Sequence, residues 1–201
     1  MVSPDQQKQG ICQMANQKLS PGVTRADAKR ETRNKVLSAA RKLFSERPYE
    51  GTTIRDVVAT CGMSTGAVFN SFGGKEEVFV VISKDDLLEY DSVARSLDAS
   101  QLSPSETIIS ILSIDYESAR LNILRSQLSC AYAGSEAVMN LVNERIAEAV
   151  RVLEEFATVS PSIGGAILSI HCDLCRPVPY TSDMPGLMRQ ELSARLSPLF
   201  G

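Results

Sequence analysis

Apolar residues recur along this chain three and four positions apart, the spacing of helices with one buried face, and no stretch alternates with the period of a strand. A first helix is predicted from about Arg25 to Ser45, with Val36, Ala39, Ala40, Leu43 and Phe44 as its apolar stripe. Arg47-Pro48-Tyr49-Glu50-Gly51 breaks it. Thr53 and Asp56 have the spacing of a capping box and open a short helix in which Ile54, Val57 and Val58 share a face. Cys61-Gly62-Met63 interrupts the period, and Gly62 is free to take the left-handed backbone of a sharp turn. Ser64 caps a third helix whose Val68 and Phe72 point inward, leaving Thr65, Gly66, Ala67, Phe69, Asn70 and Ser71 around the outside. Gly73-Gly74 stops that helix, and Lys75-Glu76-Glu77 opens a longer one reaching about Ser96.

Beyond this point the pattern remains helical. Ser103-Pro104-Ser105-Glu106 is a second capping box, with proline at the first helical position. Ile108, Ile109, Ile111, Leu112, Tyr116, Ala119 and Ile123 follow, too apolar for a surface helix and so expected at the centre of a domain. Arg120 to Tyr132 continues or kinks this helix, Gly134 ends it, and Ser135 caps the next. There Val138, Leu141, Val142, Arg145, Ile146, Val150 and Leu153 form one stripe. A break at Thr158–Ser162 precedes a helix over Ile163–Cys175, closed by Pro177 and Pro179, and a last helix spans about Gly186 to Leu196. The expected fold class is all-α: a flexible tail over residues 1–24, a three-helix unit over 25–80, and a helical bundle over 81–201.

Two short helices about a glycine turn at 53–72 are either an αα-corner or a helix-turn-helix, in which the second helix enters the DNA major groove. Charge bears on this choice. Residues 1–80 hold twelve Lys/Arg against eight Asp/Glu, whereas residues 81–201 hold nine against sixteen, so a basic end sits on an acidic body. Lys75 at a helix start, and Arg30 and Arg33 early in the first helix, oppose the helix dipole unless an anion lies near.

Thr32-Arg33, Ala39-Ala40, Leu43-Phe44, Tyr49, Thr52-Thr53, Cys61-Gly62-Met63-Ser64, Gly66, Phe69, Phe72 and Lys75-Glu76 stand at the offsets of the tetracycline-repressor (TetR-like) family's N-terminal domain, which this chain resembles over about residues 30–80. The resemblance implies a DNA-binding regulator, with the remaining helices forming an effector-binding and dimerisation domain. It further implies that Thr53 caps its helix and approaches a phosphate, and that Arg55 reaches a base edge. Ser64 caps the recognition helix, Thr65, Gly66 and Ala67 face the groove floor, Phe69 and Asn70 lie on its far side, and Lys75 binds phosphate. Two positions depart from the pattern. Phe69 stands where the family usually has tyrosine, losing a hydroxyl, and Ser71 replaces a bulkier residue. Direct readout then rests mainly on Arg55, Thr65 and Asn70, with Arg–guanine and Asn–adenine the pairings that geometry favours. The implied partners are double-stranded DNA with a near-palindromic operator and a second copy of the chain.

Gly164, Gly165, Ala166 and Ser169 allow close approach of helices, and with Ile167, Leu168, Leu187, Leu192, Leu196 and Leu199 they pack either within one subunit or across a two-fold axis. In the resembled family the last two helices form the dimer interface, which favours the second reading. Ile109, Leu112, Tyr116, Leu124, Leu128, Tyr132, Met139, Val142 and Ile146 are candidates for an effector cavity, the alternative being plain core. Few buried charges are visible among them, so a small apolar or weakly polar effector is expected.

His171, Cys172 and Cys175 lie close in sequence and are either core residues or part of a metal or thiol sensor. Cysteines three apart on a helix diverge, and three ligands leave a tetrahedral ion one short, so the core reading is preferred and no metal or cofactor is expected. With one histidine, and no glycine-rich phosphate loop, no catalytic constellation emerges. No apolar run reaches the roughly eighteen residues of a membrane helix, and the first residues lack the apolar core of an export signal. Together with five cysteines in no framework pattern, this places the protein in the cytoplasm as an expectation. The function expected is that of a homodimeric repressor released by an effector, with an activator or a thiol- or metal-responsive regulator as alternatives.

Overall fold

The computed structural model describes residues 24–116, 118–175 and 184–200. Residues 1–23 of the expected tail (1–24), the Pro177 and Pro179 stop, and the side chains of Tyr132 and Leu199 lie outside the described residues. Every regular element among the described residues is helical: α1 (Arg25–Glu46), α2 (Ile54–Cys61), α3 (Thr65–Ser71), α4 (Lys75–Arg95), α5 (Pro104–Ser113), a 3₁₀ turn (Ile114–Tyr116), α6 (Ser118–Tyr132), α7 (Glu136–Ala157), α8 (Pro161–Leu174) and α9 (Met184–Phe200).

Local chemistry sets most of these boundaries. Thr24, Thr53 and Ser103 each close a reciprocal capping box, with Asp27, Asp56 and Glu106 respectively, worth about 1 kcal/mol apiece. Thr24 thus belongs to α1 rather than to a tail. Gly62 ends α2 at φ 66°, the left-handed conformation that costs a side-chain-bearing residue most. Ser64 accepts from the Ala67 N–H at 3.2 Å and starts α3. The apolar run after Ser103 does break: α5 ends at Ser113, and the 3₁₀ turn re-aims the chain into α6.

The N-terminal head buries Val36, Ala40, Leu43 and Phe44 of α1 against Val57, Val68, Phe72, Val78 and Phe79. Phe79 packs edge-on against Phe44, with ring centroids 4.9 Å apart, and Tyr49 lies over both. No gap in packing separates head from body, because α4 starts in the head and its later turns pack on α7 in the body. In the body, α5 lies against α7 and α9, and α7 packs against α6 and α8.

Head and body also meet through α6. Asn122 Nδ2 donates to the Ser45 carbonyl at 2.6 Å, satisfying one of the acceptors left open at the end of α1. The Tyr49 N–H donates to Ser126 Oγ at 3.0 Å, and Ser129 Oγ donates to Glu50 at 2.6 Å. One helix of the body therefore holds both the last turn of α1 and the loop that leads into α2.

Candidate nucleic-acid interface and effector groove

Val68 and Phe72, both buried, anchor α3 to the head, and Arg33 secures its other end by donating to the Ser71 carbonyl at 3.1 Å while its guanidinium covers the Phe72 ring at 4.2 Å. Arg33 is thereby a structural clamp rather than a candidate phosphate ligand. Arg30 pairs with Asp27 at 3.0 Å on the surface and remains accessible. The outward side of α3 carries Thr65, Gly66, Phe69 and Asn70, all exposed, with Ala67 half-buried; Phe69 is 47 % exposed, with no ring partner among the described residues. Arg55 is exposed on the neighbouring α2.

Two polar residues have geometries that the sequence did not reveal. Thr53 gives both its N–H (2.8 Å) and its hydroxyl (2.7 Å) to Asp56, so in this arrangement it caps α2 but has no proton left for a phosphate. Lys75, at the start of α4, donates to the Tyr49 carbonyl at 3.0 Å, with its ammonium 3.6 Å from the centre of the Tyr49 ring. The carbonyl and the ring face offset the unfavourable dipole end, and two of the three ammonium protons remain for an anion.

Residues 36–82 match the family model for bacterial regulatory proteins of the tetR family. The chain is TetR-like. It is similar to the transcriptional repressor AcnR of Corynebacterium glutamicum, 38% identical over 64 residues, which are 32% of this chain and 34% of that protein. The matched region thus spans about a third of that relative. The repressor KstR2 of Rhodococcus jostii is 26% identical over 136 residues, covering 68% of this chain and 65% of that protein. Two solved structures share the fold: a tetR-family regulator from Streptomyces coelicolor (TM-score 0.67, 16% identity, 85% of this chain and 82% of that one) and a regulator from Aquifex aeolicus (TM-score 0.62, 21% identity, 84% and 99%). The all-α, two-part TetR-like architecture extends through the body, where sequence similarity has largely faded.

The body of this TetR-like chain contains a groove of about 370 Å³ lined by Leu128, Ala131, Met139, Val142, Ile146, Gly165, Leu168, Ser169 and Cys172. Leu128, Met139, Val142 and Ile146 were expected there. Leu112 and Leu124 instead line a second, smaller cavity of about 20 Å³, Tyr116 stacks on His171 with centroids 5.4 Å apart, and Ile109 lines neither space.

The expectation of few buried charges is wrong. Arg145 donates to Asp86 at 2.9 Å and to Asp115, and its guanidinium lies 5.0 Å from the centre of the Tyr90 ring. His171 Nε2 lies 3.1 Å from Asp115 Oδ2, and its Nδ1 lies 3.2 Å from the Tyr116 hydroxyl. Burial opposes charging Asp115, but Arg145 and His171 outweigh it and hold the carboxyl below its usual range. For Asp86 burial prevails over Arg145 and raises the pKa. Burial also opposes charging His171, yet the Cys175 sulfur at 3.8 Å and Asp115 override it and lift the imidazole to about 10. Arg145 in the middle of an apolar stripe was the available signal; its partners on α4 and in the 3₁₀ turn were not legible.

The dimer-interface residues also require correction. Ile167, Leu168, Leu192 and Leu196 are buried inside the subunit, where α8 and α9 pack on α7 and α5, and Gly164 sits against Val150. What faces outward on these helices is Ile163, Ala166 and Leu187, the last 55 % exposed, while Gly165, also exposed, lines the groove. At His171, Cys172 and Cys175, the alternative sensor, burial pushes the Cys172 thiol up to about 11, away from the reactive thiolate. His171 is held by Asp115 and Tyr116, and among the described residues no group of three or more His, Cys, Asp or Glu is placed to hold a metal ion.

Proposed function

We propose that this protein is a homodimeric transcriptional repressor that grips a near-palindromic operator through α2 and α3 and is released by a small molecule bound in the body. The carrying observation is α3 itself: it is clamped at both ends and on its inner face, yet presents Thr65, Gly66, Phe69 and Asn70 to solvent beside the exposed Arg55. This is the presentation a recognition helix needs in the major groove. Arg55, Thr65 and Asn70 read base edges, Phe69 meets a thymine methyl or sugar edge, and Ser64 and Lys75 position the phosphates. The names of AcnR and KstR2 as repressors support the sign of regulation. The outward residues of α8 and α9 provide the face for a second copy, which places two recognition helices about a two-fold axis.

Release follows from the position of α6. Leu128 and Ala131 of α6 line the groove, while Asn122, Ser126 and Ser129 hold the end of α1 and the Tyr49 loop. A ligand that displaces α6 shifts both supports of the head together, so binding in the groove and binding to DNA become coupled.

The deciding experiment is genome-wide footprinting followed by gel shifts on recovered sites. Protection of two-fold-related half-sites at least one helical turn (about 10 bp) apart is expected. Arg55→Ala and Asn70→Ala should relax discrimination at individual base pairs. Absence of sequence-specific protection sinks the proposal.

A further inference from the structure

The effector groove does not end at its apolar wall. Ile146, Leu168 and Cys172 line both the groove of about 370 Å³ and the small cavity of about 20 Å³, so the two spaces are neighbours across these side chains. The small cavity is lined by Tyr90, Asp115, Arg145 and His171. Its size is close to that of one water molecule. Tyr90 is 1 % exposed, and its hydroxyl has no hydrogen-bond partner among the described residues. A buried hydroxyl without a partner is unfavourable, and a polar atom delivered to the cavity recovers that loss.

The charges around this hydroxyl are already matched. Arg145 bridges Asp86 and Asp115, with His171 also on Asp115, and the further carboxylates that act on Tyr90, Asp91 and Glu148, are paired with Arg95. An ionised ligand group would add an unmatched charge to a buried, balanced cluster, which is strongly unfavourable. A neutral oxygen meets no such opposition and can accept the Tyr90 proton.

We infer that the effector is an apolar molecule ending in one neutral oxygen, a ketone or an alcohol, whose body fills the groove while the oxygen accepts a hydrogen bond from Tyr90. This rests on the reading of the body as an effector domain. Tyr90 is then the specificity-determining residue, and a carboxylate of the same chain length is discriminated against. Ile146, Leu168 and Cys172 must shift to let the polar end through, and Ile146 and Cys172 are not fully buried.

Calorimetric titration of the full chain with 2-decanone and with chain-matched decanoate tests the inference. The ketone should bind, and decanoate should bind at least tenfold more weakly. Tyr90→Phe should weaken the ketone by about 3- to 10-fold, the loss of one hydrogen bond, while leaving the unliganded Tm unchanged or raised. Gly165 lines the groove and a Cβ there meets nothing within 4 Å, so Gly165→Leu puts its side chain into the ligand's space and should abolish ketone binding. Decanoate binding as tightly as the ketone, no ketone binding up to its solubility limit, or a Tyr90→Phe variant with unchanged ketone affinity would each overturn the inference. Gel shifts with the unliganded protein test the repressor reading separately. Operator binding without ketone binding refutes only the ligand class, and ketone binding without operator binding refutes only the repressor.

Discussion

Replacing Arg145 with methionine tests the buried network most directly. The substitution keeps the length and apolar stem of the side chain but removes the cation that bridges Asp86 and Asp115. The two carboxylates fare differently. Asp115 keeps His171 at 3.1 Å, whereas Asp86, 2 % exposed, is left with Arg120 at 3.7 Å, beyond hydrogen-bond range. Removing one partner of a buried pair typically costs 3–5 kcal/mol, and the retained His171 places this case at the lower end, about 3 kcal/mol. For a chain of this size that lowers Tm by roughly 6–12 °C. The chain has no tryptophan, so unfolding should be followed by far-UV circular dichroism, at one fixed protein concentration. Because burial already raises the Asp86 pKa, the deficit of Arg145→Met should shrink as pH falls and the orphaned carboxylate takes up a proton. Adding Asp86→Leu should restore most of the loss, since it removes the unmatched charge itself. A deficit below about 1 kcal/mol, or a double variant no more stable than the single one, refutes the network's role.

Three further outcomes are expected. Lys75→Ala should weaken binding to all DNA sequences and reduce the slope of log K against log salt by about one unit; an unchanged slope rules out its phosphate contact. Gly62→Ala should destabilise by about 1–2 kcal/mol in chemical denaturation, because alanine must adopt φ 66°, and a neutral result would mean the turn tolerates another geometry. The His171 pKa is raised by folding, so its contribution is fully present below about pH 6.5 and is lost as pH rises toward about 10. His171→Gln should therefore flatten the stability–pH curve relative to the parent across that window, and parallel curves would show that His171 is not charged in the fold.

Much of the head was legible in the sequence because its determinants are local. Thr53 with Asp56, Gly62, Ser64 and the Val68/Phe72 pair act within a few residues of one another, and each folds as its spacing demands. The fixed offsets across about residues 30–80 added the resemblance of the head to the TetR-like pattern. Helix periodicity likewise located nearly every element of the body, although it left open whether the run after Ser103 continues or kinks, and the break between α5 and α6 at the 3₁₀ turn came from the structure.

Tertiary structure alone decided what each apolar or charged face meets. Periodicity marks Leu192 and Leu196 as buried but is silent about whether the covering surface is the same subunit or a second one, and the packing of α9 on α5 and α8 shows it is the same. Arg33 and Lys75 look alike as basic residues of a DNA-binding head, yet one closes the end of α3 and the other sits on Tyr49, contacts set by helices distant in the chain. The Asp86–Arg145–Asp115–His171 cluster joins residues 30 to 59 positions apart. Only the packing of α4, α7 and α8 around the 3₁₀ turn brings those charges together, and with them the Tyr90 hydroxyl that gives the groove its polar end.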